Sequence, residues 1–204
     1  MDLKYSIQIS IESLYLLLSN RSKCKELLNK EHLDENDMID IYVSLHIVLE
    51  TSLNALHRQI ITNQIVKPID ELEIIKNIDN IGFIEKTILF IYNAHFQFNG
   101  DLEKAAMYHR IIGKMRNFSG IRNKLLHGHS ISSFTIDEKI TRLSDTKSNL
   151  EEKKLKTQIK DFIEINEGMR FFLDHVDNKS WSRSYVEDLK KQYLNYDFIP
   201  ENYR

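Results

Sequence analysis

Residues 36–61 read "NDMIDIYVSLHIVLETSLNALHRQII", and they form the strongest helical pattern in the sequence. Apolar side chains recur along it at nearly every third or fourth position: Met38, Ile41, Leu45, Val48, Leu49, Leu53, Leu56 and Ile60. That spacing places them on one face of an α-helix. The stretch therefore predicts a long helix whose apolar face needs other helices to cover it. Pro68 ends the pattern, because proline cannot continue a helix.

The rest of the chain repeats this helical spacing. We predict further helices over residues 3–18, 69–78, 81–98, 101–127, 149–175 and 183–194, with a short helix or loop over 20–35. Asp101 is placed to cap the helix that follows it. The sequence "NFSG" at 117–120 offers a place for that helix to break.

Residues 131–146 depart from this spacing, since they alternate partly and are rich in β-branched side chains. Such a pattern favours a loop or a small hairpin insertion. It separates core helices, roughly 3–130, from a C-terminal helical extension over 147–204. We therefore expect an all-α, up-and-down bundle of five or six main helices, forming a single domain over 1–204.

The composition is that of an ordinary globular chain. It has 204 residues, 42% hydrophobic and 28% charged, with a formal net charge of −2. The only cysteine is Cys24, which excludes an internal disulfide and a zinc site built from cysteines. The apolar runs "YLLL" and "ILFIY" are too short to span a bilayer, and the first residues lack a signal-peptide core. We expect a cytoplasmic protein that does not bind membranes.

The chemistry is concentrated in "SGIRNKLLHGHS" at residues 119–130. Arg122 presents a planar, permanently charged guanidinium that fits a phosphate. His127 titrates near neutral pH and can take or give a proton, and Asn123 can both donate and accept hydrogen bonds. These three groups suit cleavage of an RNA phosphodiester: the imidazole would deprotonate the 2′-hydroxyl, and the guanidinium would stabilise charge on the phosphoryl oxygens. We expect no metal and no cofactor.

The spacing within this motif has two consequences. Arg122 and His127 lie about 140° apart around an ideal helix, so either the helix bends or the arginine turns round. Asn123 and His127, four positions apart, share a face. The motif also supplies a single histidine where an acid and a base are both needed. Two chains meeting motif to motif would supply two, so we expect a homodimer.

Residues 101–127 carry six basic and two acidic side chains in a molecule of negative net charge. This local excess predicts an RNA-backbone contact, with Lys114, Arg116 and Lys124 as the candidate residues. The alternative is a solvated helix face, which is about as common an outcome for a run of charge.

A polar stripe crosses the otherwise apolar helix over 36–61, formed by His46, Glu50, Asn54 and His57. If the stripe faces the motif, Glu50 could orient His127 or Arg122. The favoured interpretation is a solvated face with an i,i+4 pair, and a metal site from His46 and Glu50 is the least favoured.

The C-terminal tail is rich in aromatic residues: Tyr193, Tyr196, Phe198 and Tyr203. They could stack on RNA bases, but packing onto the bundle or onto a partner subunit is the favoured interpretation.

The sequence "RNKLLHG" resembles the R-x4-H signature of HEPN domains, with Asn123 at the preferred polar position and Gly128 after the histidine. The resemblance implies a four- to five-helix bundle, a dimer and a metal-independent endoribonuclease, with Arg122 and His127 catalytic and Asn123 supporting. It also implies a toxin or antiviral-defence effector, which a cognate antitoxin or defence partner would accompany. Other members of the family bind RNA, nucleotides or partner proteins without catalysis, so a non-catalytic module is the alternative.

One position departs from a branch of that family. In the branch paired with a nucleotidyltransferase antitoxin, a tyrosine stands two residues after the histidine and is modified. Here that position is His129, so this form of neutralisation is not available. We place His129 with Glu50, His46 and Asn54 among the supporting residues, the polar residue on the second helix being frequent in the family.

Overall fold

A computed structural model describes residues 3–62, 77, 80–93, 101–126, 150–175 and 181–204. All regular structure in these residues is helical, which confirms the predicted all-α bundle. The elements are α1 (Leu3–Leu28), α2 (Glu35–Thr62), α3 (Phe83–Asn93), α4 (Leu102–Leu126), α5 (Glu152–Asp174), α6 (Arg183–Tyr193) and a final 3-10 turn (Glu201–Tyr203). The insertion predicted over 131–146 lies outside the described residues, as does all but Asn77 of the helix predicted over 69–78.

Helix α1 is ten residues longer than the sequence predicts, so its predicted end at residue 18 was wrong. Leu17, Arg21, Cys24 and Leu28 follow one another at helical spacing and are all buried. The stripe thus continues through an arginine and a cysteine, and hydrophobic periodicity alone does not reveal this.

Helix α4 passes through "NFSG" without the break that the sequence allowed. Phe118, in the middle of that segment, is 2% exposed and lies in line with the buried Met115 and Ile111. Tertiary packing therefore outweighs the weak helix propensity of serine and glycine here. The predicted cap is confirmed, since the backbone N–H of Lys104 donates to Oδ1 of Asp101 at 3.1 Å.

Helix α2 is the central element, and it contacts α1, α3, α4, α5 and α6. Its residues Ile41, Leu45, Leu49, Leu53 and Leu56 have no exposed surface. By length and mean hydropathy its segment Glu35–Gln59 could cross a membrane, but the core helix of a bundle satisfies the same criterion, and 61% of its most apolar window is buried here.

Helices α4 and α5 run antiparallel. Ile111 contacts the backbone side of Gly168, the ammonium of Lys114 lies 2.5 Å from Oδ1 of Asp161, and the ring centroids of Phe118 and Phe162 are 6.4 Å apart. This packing brings the C-terminal end of α4, which carries the motif, level with the beginning of α5.

The aromatic tail packs onto the bundle, as the favoured interpretation predicted. Tyr203 and Tyr193 are buried, and the rings of Phe198 and Phe162 meet edge to face at 5.9 Å. The Tyr196 hydroxyl donates to Oε1 of Glu167 at 2.5 Å. The guanidinium of Arg21 donates to the carbonyl oxygens of Gln192 and Tyr193 at 2.9 and 3.0 Å, so α1 holds the C-terminal end of α6.

Candidate functional site

The polar stripe of α2 is not a solvated face. His46 is 4% exposed and His57 is fully buried, whereas Glu50 and Asn54 are partly exposed. The ring of His46 lies between two aromatic rings, 4.5 Å from Phe83 of α3 and 6.2 Å from Phe118 of α4, centroid to centroid. The stripe is therefore enclosed where α2, α3 and α4 meet.

This position brings the stripe to the motif. Arg122 follows Phe118 by four residues, so the two side chains occupy the same face of α4. The charge of Arg122 is close enough to His46 to influence its protonation. The structure thus places Arg122 of α4 near His46 and Glu50 of α2, from which it is distant in the sequence.

Burial lowers the pKa of His46 to about 4. The positive charge of Arg122 contributes to this lowering of the pKa, and the carboxylate of Glu50 opposes both effects. His46 is therefore neutral at physiological pH. A buried neutral imidazole of this kind does not exchange protons with a substrate in solution, so His46 is poorly suited to be an acid or a base.

Lys86 of α3 is the main residue of this region that was not predicted from the sequence. Its side chain is 2% exposed, and its ammonium lies 3.3 Å from Oε1 of Glu50. The other carboxylate oxygen, Oε2, lies 3.8 Å from Nδ1 of His46. A signal was present: Lys86 stands three residues after Phe83 and four before Phe90, within the apolar face of its helix, where a lysine needs a partner.

His57 lies on the same stripe but has a different partner. Its Nε2–H donates to the backbone carbonyl of Lys86 at 2.7 Å. Burial lowers the pKa of His57, and this hydrogen bond opposes the shift only in part. Two side chains of α2, those of His57 and Glu50, thus bind the same residue of α3, which fixes the place of Lys86 in the bundle.

Arg122 donates from one terminal nitrogen to Oδ1 of Asn123 at 2.9 Å. The guanidinium of Arg122 thus turns toward the side chain of its neighbour on α4. Within the described part of the chain, Arg122 forms no ion pair with a carboxylate. Its positive charge therefore has no carboxylate partner among the residues that the structure describes. His127 and His129 lie outside the described residues, and their positions relative to Arg122 stay predictions.

Acidic side chains nearby form ion pairs with several of the basic residues of α4. Lys104 pairs with Asp101, Arg110 with Glu164, and Lys114 with both Asp161 and Glu164 of α5. The ammonium of Lys114 is consequently a weaker attractor of phosphate than its sequence suggested. Arg116 is exposed, and the side chain of Lys124 lies outside what the structure describes.

The described residues contain no group of three or more His, Cys, Asp or Glu side chains arranged to hold a metal ion. His46 and Glu50 stand as a pair whose remaining carboxylate oxygen faces Lys86. A cation beside that ammonium would be repelled, so the pair is poorly suited to bind one.

Comparison with known proteins adds no further constraint. No protein-family model, no curated protein and no solved structure matches this chain.

Proposed function

We propose that this chain is a metal-independent endoribonuclease of HEPN type, in which Arg122 binds the scissile phosphate and His127 transfers the proton. The observation that supports this most directly is the uncommitted guanidinium of Arg122 at the end of α4, hydrogen-bonded only to the neutral amide of Asn123 among the described residues. An arginine already paired with a carboxylate would have to lose that partner before it could bind phosphate.

Each residue has a defined part in the proposed reaction. The imidazole of His127 removes the proton of the ribose 2′-hydroxyl, whose oxygen attacks the adjacent phosphorus and displaces the 5′-oxygen of the next nucleotide. Arg122 stabilises the negative charge that develops on the phosphoryl oxygens, and Asn123 fixes the direction of that guanidinium. The leaving oxygen needs a second proton donor, and the matching histidine of a second chain would provide it. The role of a toxin or antiviral effector is part of the same proposal.

The test is single-turnover cleavage of a mixed-sequence, single-stranded RNA. Arg122→Ala and His127→Ala are each expected to slow cleavage by about 10²–10³ or more, as removal of one charge-stabilising donor typically does. Asn123→Ala should slow it clearly but less than His127→Ala. Arg183→Ala, an exposed arginine of α6, is the matched control and should cleave at the wild-type rate.

A chelator should leave the rate unchanged. Full activity of His127→Ala, or loss of activity on adding chelator, would contradict the mechanism. RNA binding without cleavage by the wild-type chain would instead favour the non-catalytic module.

A further inference from the structure

The carboxylate of Glu50 lies beside the buried ring of His46, and two cations belong to the same neighbourhood: Lys86 contacts Glu50, and the charge of Arg122 acts on His46. Lys86 approaches from α3, Glu50 extends from α2, and Arg122 lies at the end of α4. The ring of Phe118, one turn before Arg122, lies 6.2 Å from the ring of His46, centroid to centroid, so Arg122 is on the side of α4 that faces the His46–Glu50 pair. The structure pairs Glu50 with the lysine, at 3.3 Å, and leaves the arginine hydrogen-bonded to an amide.

The pairing of Glu50 with Lys86 is not the one that the chemistry of the two cations alone would favour. A guanidinium binds a carboxylate through two parallel hydrogen bonds, which an ammonium cannot do. The carboxylate of Glu50 is partly exposed, at 38%, so it retains freedom to turn toward a cation on α4. A Glu50 without Lys86 would therefore be a ready partner for Arg122.

The burial of Lys86 makes its pairing obligatory. At 2% exposure the ammonium cannot be satisfied by bulk water, and an unpaired charge at such a place is costly. Phe83 and Phe90, which share the face of α3 with Lys86, are apolar, and a methionine would fill the same space without that cost. A buried ion pair is weak evidence of a contribution to stability, which points to a role in the site instead.

We propose that Lys86 is a positioning residue: by neutralising Glu50, it keeps that carboxylate from pairing with Arg122 and leaves the guanidinium available to an RNA phosphate. This inference rests on the proposed function for the identity of the anion. The charge arrangement that it concerns can be measured whether or not the protein cleaves RNA.

The test is a double-mutant cycle on Lys86 and Glu50 with two readouts. In the wild-type background, Lys86→Met is expected to slow single-turnover cleavage by on the order of tenfold or more. In the Glu50→Gln background, Lys86→Met should slow cleavage by less than about twofold, because no carboxylate remains at position 50 to pair with Arg122. The second readout is the NMR signal of the Arg122 Nε–H group, which should move on Lys86→Met and stay in place when Glu50 is glutamine.

A second buried lysine provides the matched control. Lys190 is 4% exposed and pairs with Asp174 and Glu187, on α5 and α6. Lys190→Met removes an equally buried ammonium and should change neither the cleavage rate nor the Arg122 signal. If Lys86→Met does not fold, Lys86→Gln is measured in the same way.

The outcomes separate the two proposals. An unchanged Arg122 signal and an unchanged rate in Lys86→Met would overturn the inference while leaving the ribonuclease intact. A loss of rate that is equal in both Glu50 backgrounds would also overturn it, since Lys86 would then act independently of Glu50. A wild-type chain that cleaves no RNA but shows the Glu50-dependent shift of Arg122 would overturn the proposed function and retain the charge arrangement.

Discussion

The neutrality of His46 makes the stability of the protein depend on pH. In the unfolded chain this imidazole titrates near pH 6.5, whereas burial, reinforced by Arg122, lowers its pKa to about 4 in the fold. Between these values the unfolded state binds a proton that the folded state does not. The free energy of unfolding therefore falls as the pH falls through this interval, and the full contribution of His46 is present above about pH 6.5.

We predict a loss of roughly 3 kcal/mol from His46 between pH 6.5 and 4, at about 1.4 kcal/mol for each unit by which the two pKa values differ. Burial lowers the pKa of His57 as well, so His57 adds to the effect in the same direction. Urea unfolding at pH 7.5, 6 and 5 measures it. His46→Gln should flatten the pH dependence, and His109→Gln, at an exposed position of α4, should not. An equal slope in wild type and His46→Gln would show that another group is responsible.

Single residues also mark the limit of what the sequence reveals about the site. The spacing of His46, Glu50 and His57 was visible, and so was the chemistry of Arg122. Their proximity depends on how α2 crosses α4, which no spacing within one helix encodes. Lys86 was missed because a lysine in a helix is ordinarily read as a solvent-facing residue, and only its position between Phe83 and Phe90 indicates otherwise.

At the scale of elements, the helices themselves were largely predictable. Helix α2 matches its prediction within a residue at each end, and α5 and α6 begin and end close to the predicted residues. The errors arose at polar or small residues within a helix that packing continues, such as the buried Arg21 in α1 and Gly120, close to the buried Phe118, in α4. Such positions are decided by tertiary packing, which local propensity does not record.

The packing of α4 on α5 predicts that glycine-to-alanine substitutions change the stability of the protein in opposite directions at different positions. Glycine to alanine inside a helix usually stabilises by about 0.5–1 kcal/mol. A Cβ at Gly168 of α5 would lie 2.5 Å from Cγ1 of the buried Ile111 of α4, and nearer still to its Cδ1. We expect Gly168→Ala to destabilise by roughly 1–3 kcal/mol, because the buried Ile111 must be displaced to admit the methyl group.

Two glycines of α4 are the controls. A Cβ at Gly113 or at Gly120 would meet nothing within 4 Å, so alanine there should stabilise by about 0.5–1 kcal/mol. Thermal melts of the three variants would separate the two signs by several degrees. A stabilised Gly168→Ala would show that α4 and α5 are less closely packed than the structure indicates.

At the scale of the whole molecule, the question is whether one chain suffices for catalysis. General acid–base cleavage needs one group to accept a proton and another to donate one. The motif supplies His127, while His46 and His57 are buried, with burial lowering the pKa of each. Neither can serve a substrate in solution. The second proton-transfer group is therefore expected from a second chain whose motif meets the first.

This reasoning predicts a dimer with a shared site, seen in sedimentation as a species of roughly twice 24.2 kDa. Adding an excess of inactive His127→Ala chains to wild type should lower the activity of each wild-type chain, because every mixed dimer holds a single motif histidine. The control is an excess of the double variant Arg122→Ala/His127→Ala, which should lower it at least as far. If activity per wild-type chain stays constant in both mixtures, or if a strict monomer cleaves RNA, each chain holds a complete site. The second proton donor would then have to be sought within one chain.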